Sequence, residues 1–467
     1  MPGGSATRRL VTSPATLIAV LAAAPSVAWA IAGAGYISDD FSQTYQIRET
    51  GVIATTRYLG RPLNGLFHAF LAAAVGERPF ARALILAGLN AVLAVAVWYA
   101  LRTVVSPTTA FIAAVLFAVV PNRAATRLWF VCDANVAGVI LVAVGAVVLL
   151  RHNRIVWAVS LFLAGMLLFE GGAGLAGAAV AWWWWAGDRR ARSTPALVAM
   201  AALGATALAL VVASPKRAPG SPPHPFHDLW SIGPGTFGLG FWGSKALGAV
   251  GTLAVLLVCG WAAAAFLPSF RRPGSPLRND AVAGACLVVA GAAPFAVGSS
   301  PFAVTGVFDR NNLVSDIGAC VLVAALLAVV VRWQPRLGWL LTGAVVVVLA
   351  AANPSDIAHW RAAVIEGRTL ERRVVADVDP SAGDIVVVPP LPGTNGVAQF
   401  IEEGDLRAAL ILHHGAAWSS VSMPGFDPTC AELRARAAVS DRPLFVYDRI
   451  TRRLSPATDA GICRHTP

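Results

Sequence analysis

Tyr36-Ile37-Ser38-Asp39-Asp40-Phe41 follows the first long apolar run of the chain. This stretch places two adjacent carboxylates where a membrane-crossing segment would meet water. Ionisable side chains are costly in that position and usually have a function there. We therefore interpret Asp39 and Asp40 as the centre of a site, and the apolar segments that follow them as the scaffold that holds it.

The composition around this stretch is that of a membrane protein. Of the 467 residues, 57% are hydrophobic and only 13% are charged, whereas a typical soluble domain has roughly 25% charged residues. The apolar runs are about 17–24 residues long, which suits helices that cross the bilayer better than strands of a barrel. The net charge of +11 comes largely from arginines dispersed in short loops. This pattern is typical of cytoplasmic loops, and it does not indicate nucleic-acid binding.

The apolar runs predict an all-α polytopic membrane domain over residues 1–353, with about eleven transmembrane helices. A further apolar helix, from Leu63 to Val75, is too short to cross and is expected to lie at the membrane interface. Placing Arg8 and Arg9 in the cytoplasm puts every second loop inside, and those loops are the basic ones. The predicted spans are residues 16–37, 80–101, 107–120, 134–150, 155–169, 173–186, 195–213, 246–268, 281–298, 314–331 and 337–352.

This topology brings the unusual polar residues to the extracytoplasmic face of the membrane. Polar residues that converge on one face suggest a single site. The residues concerned are the acidic pair in the loop 38–61, Arg61, Arg123 and Arg127 in a polar outer stretch, Glu170, the long loop 214–243, and Arg310.

Residues 354–467 differ in composition and predict a small extracytoplasmic α/β domain. The patterns favour a helix over 357–377, a strand over 384–388, a second helix over 397–412 and a second strand over 443–447. Cys430 and Cys463 lie in this region, and the sequence leaves open whether they form a disulfide or remain free thiols.

The residue types at the outer face indicate a limited set of reactions. An aspartate near a hydroxyl group can act as a general base, and a pair of aspartates can instead hold a divalent cation. Arginines that face the same cavity can bind a phosphate or diphosphate leaving group through forked hydrogen bonds. These properties suit the transfer of a phosphate-linked sugar from a lipid carrier, and they leave open whether the aspartates act as base or as metal ligands.

Several short elements follow one another in an order that resembles a known family. After the acidic pair come Tyr58-Leu59-Gly60-Arg61-Pro62-Leu63, Leu116-Phe117-Ala118-Val119-Val120-Pro121, Trp129, Asp133, Phe169-Glu170 and Asp309-Arg310-Asn311. Over residues 35–353 the chain thereby resembles the GT-C superfamily of integral-membrane glycosyltransferases, especially its protein O-mannosyltransferase-like branch. Three positions depart from the family pattern, because Val120, Phe169 and Asn311 stand where the family has His, Lys and Tyr.

The resemblance implies a GT-C-like fold and a bacterial cell-envelope enzyme that moves a sugar from a polyprenyl-phosphate donor to an extracytoplasmic glycan, lipid or protein. Asp39 or Asp40 would be the general base, or the pair would hold a divalent cation. The implied substrate-binding residues are Arg61, Arg123, Arg127, Glu170 and Arg310. Two alternatives stay open: a lipid or glycan transporter or flippase, and a catalytically degenerate GT-C scaffold that acts in envelope assembly. In every case the N-terminus is expected in the cytoplasm and the C-terminal domain outside it.

Overall fold

The computed structural model describes most of the apolar region and part of the C-terminal region. The described residues are 13–53, 61–121, 123–186, 275–298, 307–382, 385–388, 397–401, 404–423, 443–448 and 451–456. The predicted spans 195–213 and 246–268, the loop 214–243, and Cys430 and Cys463 lie outside these residues.

Within the described residues, every predicted span overlaps a helix of the structure. Several of the apolar-region helices begin with proline, which suits a first turn because its missing N–H has no intrahelical partner there. The helices are α1 (Pro14–Ile31), α2 (Asp39–Glu49), α3 (Pro62–Val75), α4 (Pro79–Leu101), α5 (Pro107–Val119), the single turn α6 (Ala125–Leu128), α7 (Asp133–His152), α8 (Ile155–Leu168), α9 (Gly172–Ala186), α10 (Pro276–Gly298), α11 (Leu313–Trp333) and α12 (Pro335–Ala350).

The number of membrane crossings is smaller in the described residues than the sequence predicted. Five helical stretches there are long and apolar enough to cross a membrane, so the prediction of about eleven spans is not confirmed. Helices α3, α5 and α8 are apolar but shorter than a full crossing. The five candidate spans are Pro14–Ile31, Pro79–Leu101, Phe130–His152, Asp309–Trp333 and Pro335–Asp377.

The outer surface of the helices carries large apolar side chains. Ile31, Val156 and Leu340 are 78%, 77% and 71% exposed, which would be unfavourable against water over a wide surface. These side chains and the apolar helices together indicate a membrane protein.

Glycines set the closest helix contacts. A Cβ atom on Gly165 of α8 would lie 2.6 Å from the carbonyl oxygen of Gly138 on α7. Similarly, a Cβ atom on Gly318 of α11 would lie 2.4 Å from the backbone nitrogen of Val288 on α10. Only a residue without a side chain allows these backbones to approach so closely, as is common between membrane helices.

The C-terminal region contains a small mixed sheet. Its elements are α13 (Asn353–Asp377), β1 (Ile385–Val388), α14 (Asp405–His414), β2 (Val421–Ser422), β3 (Leu444–Asp448) and β4 (Arg453–Pro456). The strand order is β2-β1-β3-β4, with β1 parallel to β2 and to β3, and β3 antiparallel to β4. The helix predicted over 397–412 begins only at Asp405, since residues 397–401 are not helical.

The C-terminal region packs directly against the acidic stretch. The backbone N–H of Ser38 donates to the carbonyl oxygen of Gln399 at 2.5 Å, and the Ser42 hydroxyl donates to the Asp405 carboxylate. Phe41 is 1% exposed and lies in the same apolar cluster as Leu370 of α13. These contacts fix the position of α2, and therefore the position of the acidic pair at its start.

Candidate functional site

The acidic pair lies in the first turn of α2, so a helix occupies part of the segment that we expected to be an outer loop. Negative side chains are favourable in the first turn of a helix because of the helix dipole. Asp40 accepts two backbone hydrogen bonds, from Ile37 N–H to Oδ2 at 2.9 Å and from Val131 N–H to Oδ1 at 2.8 Å. Asp39 and Asp40 are both buried, at 8% and 5% exposed.

Burial raises the pKa of Asp40 well above its usual value, and the two backbone N–H groups only partly oppose this shift. A carboxylate with a raised pKa has a higher affinity for a proton. Asp40 therefore has the property required of a general base that must accept a proton from a hydroxyl group.

An ion pair lies near Asp39. Arg61, immediately before α3, pairs with Glu170, which lies between α8 and α9, and each side chain is 23% exposed. Burial alone would raise the pKa of Glu170, but the charge and hydrogen bond of Arg61 hold it below its usual value. Likewise, burial would lower the pKa of Arg61, and Glu170 raises it, with a smaller contribution from Asp39. Both partners are therefore charged, and Asp39 is close enough to interact with Arg61.

Arg310 belongs to the same group of residues. It lies in the 3-10 turn Val307–Asn312, and its guanidinium carbon lies 4.7 Å from the centroid of the Trp129 ring. Its charge also acts on Glu170. We call Asp39, Arg61, Glu170 and Arg310 the acid–arginine cluster. Four separate parts of the chain contribute to it.

Arg123 and Arg127 do not belong to this cluster. Both are buried, at 0% and 1% exposed, in contrast to the polar outer stretch that we expected. Arg123 donates to the carbonyl oxygen of Phe117 at 2.7 Å, and Arg127 donates to that of Ala118 at 2.8 Å and to Asn353 Oδ1 at 2.7 Å. They satisfy the carbonyl groups at the end of α5, which the helix itself leaves without partners.

Asp309, next to Arg310, has a structural role. Its carboxylate accepts the backbone N–H groups of Ala124 and Ala125 at 2.8 and 2.9 Å. It thus caps the single turn α6 and holds the turn that carries Arg310 against the segment before Trp129.

Sequence reasoning missed two polar residues near Asp40. Arg82, in the first turns of α4, forms an ion pair with Asp133 at 3.0 Å, and its Nη2 lies 3.3 Å from His68 Nδ1. The available signal was an arginine inside an apolar run, because such a buried charge requires a partner. Asp133 was noted only as part of the family pattern.

The described residues contain no group of three or more His, Cys, Asp or Glu side chains arranged to hold a metal ion. A divalent cation at Asp39 and Asp40 would therefore take its remaining ligands from water and from substrate phosphate, as Mg²⁺ commonly does.

The comparisons with known proteins do not add a family to this geometry. No protein-family model matches the chain, and no curated protein matches it. The function proposed below therefore rests on the residues of the site.

Proposed function

We propose that the protein is a membrane glycosyltransferase. It transfers a sugar from a polyprenyl-phosphate donor to a hydroxyl group of an acceptor outside the cytoplasm. The observation that carries this proposal is the acid–arginine cluster, in which two arginines and two acids meet beside the buried carboxylate of Asp40.

The two arginines suit a phosphate group. Each guanidinium has donors in a fixed fork that matches phosphate oxygens. The Arg310 side chain is half-buried against the Trp129 ring, and the partly exposed Arg61 is held by Glu170. Both cations would offset the negative charge that develops on the phosphate as its bond to the sugar breaks.

The aspartates suit the other half of the reaction. The acceptor oxygen forms a bond to the anomeric carbon while its proton passes to the Asp40 carboxylate. The bond between the anomeric carbon and the phosphate oxygen breaks, and its electron pair leaves with the polyprenyl phosphate. Attack from the face opposite the phosphate inverts the anomeric centre. Each Asp40 oxygen accepts one backbone N–H, so a second lone pair on each remains for the proton.

Asp39 has a different environment within this scheme. It interacts with Arg61, so it would balance the charge of the phosphate-binding arginines or, with Asp40, hold a divalent cation that bridges to the phosphate. A multi-pass protein in the cell membrane suits this reaction because the donor carries its phosphate on a lipid chain.

The test is sugar transfer in proteoliposomes. The purified full-length chain is reconstituted with a panel of radiolabelled polyprenyl-phosphate sugars, and labelled glycan, lipid or protein products are counted. We expect the initial rate to fall about 10²–10⁴-fold in Asp40→Asn, the range for loss of a general base. Arg310→Gln should raise the KM for the donor. The control is Arg151→Gln, which alters an exposed charge at the end of α7.

The alternatives give different results. Absence of transfer with every donor, together with movement of the labelled carrier across the bilayer in both wild type and Asp40→Asn, would favour a transporter and overturn the proposal. Binding of the carrier phosphate that is unchanged in Arg61→Gln and Arg310→Gln would remove the assignment of the arginines.

A further inference from the structure

A cleft of about 360 Å³ opens between α2, α3 and the start of α4. Its polar lining comes from Tyr36, Asp40, Gln43, His68, Glu77 and Arg82. Only Asp40 of these residues has a role in the reaction proposed above. The volume lies at the small end of the range for ligand sites, which is roughly 300–1,000 Å³, so the cleft suits one small group.

The protonation state of His68 is fixed by its neighbour. Burial, and then the charge of Arg82, lower the pKa of His68 to about 3, so the ring is neutral at physiological pH. Arg82 can only donate hydrogen bonds, so His68 Nδ1, 3.3 Å from Arg82 Nη2, must be the acceptor. The ring proton is therefore on Nε2, which makes Nε2–H a donor.

Two buried polar atoms of the lining have no hydrogen-bond partner among the described residues. They are Nε2 of His68 on α3 and Oε1 of Gln43 on α2. A backbone group of Val131 lies near the His68 ring, but not in hydrogen-bonding geometry. An unsatisfied buried polar atom costs about 1–3 kcal/mol, so a ligand that completed both bonds would be favoured.

The two atoms need opposite partners. Nε2–H requires an acceptor, and the Gln43 oxygen requires a donor. A hydroxyl group supplies both, because it accepts through its lone pairs and donates its own hydrogen. A carboxylate or a phosphate ester oxygen would satisfy the first atom only.

The charges of the lining also select against anions. Asp40 and Glu77 are acidic, whereas the cation Arg82 is already paired with Asp133 at 3.0 Å. An anionic ligand would meet two carboxyl groups without a free cation from the described lining, whereas a neutral ligand would not be repelled.

We propose that this cleft binds a neutral, hydroxyl-bearing ligand such as a sugar ring, with His68 as donor and Gln43 as acceptor. The role of the bound hydroxyl as the acceptor of the transferred sugar rests on the proposed function. The binding itself does not.

The test measures binding to the full-length protein in nanodiscs, without donor. The probes are methyl α-mannopyranoside, methyl β-galactopyranoside and the corresponding uronic acid glycosides, which carry a carboxylate at C6. Saturation-transfer NMR and titration give the affinities. We expect the neutral glycosides to bind at least tenfold more tightly than the uronic acid forms.

Variants locate the bound glycoside. Ala72 lines the cleft, so Ala72→Trp should fill it and abolish binding. His68→Phe and Gln43→Met should each weaken binding about tenfold, the effect of one lost hydrogen bond. Ala74→Trp is the matched control, because Ala74 is exposed on the same helix, and it should bind as wild type does.

The remaining outcomes separate the two proposals. Equal binding of neutral and acidic glycosides, no binding of any probe, or binding unaffected by Ala72→Trp would overturn the cleft assignment, and the last two results would mean that the cleft holds water only. Glycoside binding lost in Ala72→Trp, with no sugar transfer under any condition, would support the cleft and overturn the proposed function. Transfer with an unchanged acceptor KM in Ala72→Trp would do the reverse.

Discussion

Asp40 accepts a hydrogen bond from the backbone N–H of Val131 at 2.8 Å, across 91 positions of the chain. This bond joins the first turn of α2 to the turn that precedes α7. A second bond, from Ile37 N–H at 2.9 Å, holds the other carboxylate oxygen. The orientation of Asp40 is thus set by the backbone at two points, so its oxygens keep a fixed direction.

Replacing Asp40 with asparagine should cost stability as well as activity. One side-chain oxygen becomes an NH₂ group, which would face the N–H of either Ile37 or Val131, so that one backbone donor loses its acceptor. We expect a loss of about 1–3 kcal/mol, seen as a lower Tm in detergent. Asp39→Asn is the control, since Asp39 makes no backbone hydrogen bond through its side chain within the described residues. An equal Tm for the two variants would contradict this account.

Arg127 and Arg310 should respond differently to lysine. Arg127 donates to Asn353 Oδ1 and to the Ala118 carbonyl from two different nitrogens, and a single ammonium group cannot reproduce that geometry. We expect Arg127→Lys to lower the Tm by the equivalent of about 1–3 kcal/mol. Arg310→Lys should leave the Tm nearly unchanged and weaken binding of polyprenyl phosphate. A stable Arg127→Lys variant with reduced phosphate binding would return Arg127 to the site.

Asp309 and Arg310 are neighbours with separable roles. Asp309→Asn leaves one of the two N–H groups, of Ala124 or Ala125, without an acceptor in a fully buried position. We expect a lower Tm in Asp309→Asn, because an unsatisfied buried donor costs about 1–3 kcal/mol. In Arg310→Gln we expect a changed donor KM at nearly constant Tm. Thermal unfolding and transfer rates of both variants check the assignment, and it fails if Asp309→Asn changes the KM alone.

Much of the helical pattern could be predicted because length and apolarity are local properties. The predicted span 80–101 is α4, Pro79–Leu101, almost residue for residue. The number of crossings could not be predicted in the same way. The span predicted over 107–120 is a 13-residue helix, α5, and an apolar run does not show how deeply a short helix enters the bilayer.

The site was predictable only in part, because its members meet through tertiary contacts. The order of motifs brought attention to Asp39, Arg61, Glu170 and Arg310, which the fold gathers. It could not separate them from Arg127, since an arginine in a polar stretch looks the same whether it faces a cavity or helix carbonyls. His68 carried no signal at all, because its significance depends on Arg82, which lies beside it only in the folded chain.

The contact between α7 and α8 should tolerate no side chain at Gly165. In Gly165→Ala the new Cβ would lie 2.6 Å from the Gly138 oxygen, so one helix must move. We expect a marked fall in Tm, of the size seen for overpacked cores, about 1–3 kcal/mol. Gly177→Ala in α9 is the matched control, because a Cβ atom at Gly177 would have none of the described atoms within 4 Å. It should be neutral or slightly stabilising, and equal effects of the two substitutions would contradict the close contact.

The C-terminal region should lose stability as the pH rises. His413 Nδ1 lies 2.6 Å from Glu371 Oε1, and His414 Nε2 lies 3.1 Å from the same oxygen. The hydrogen bond to Glu371 raises the pKa of His413 above its usual value, with burial opposing and with smaller effects from the charges of Glu371, Glu77 and Arg368. A raised pKa means that the folded protein binds a proton more tightly than the unfolded chain does.

The stabilisation is therefore complete below the unfolded-state pKa of histidine, about 6.5, and it is lost as the pH rises through the higher pKa of folded His413. We expect the Tm to fall between about pH 5.5 and 8.5, and this fall to be smaller in His413→Gln, which keeps a polar group but does not titrate. His152→Gln removes an exposed histidine at the end of α7 and should retain the wild-type pH dependence. Since Phe41 of α2 stacks edge-on against His413 at a centroid distance of 6.0 Å, the same loss should loosen the contact that positions the acidic pair. An identical pH profile in wild type and His413→Gln would remove the His413–Glu371 contact as its cause.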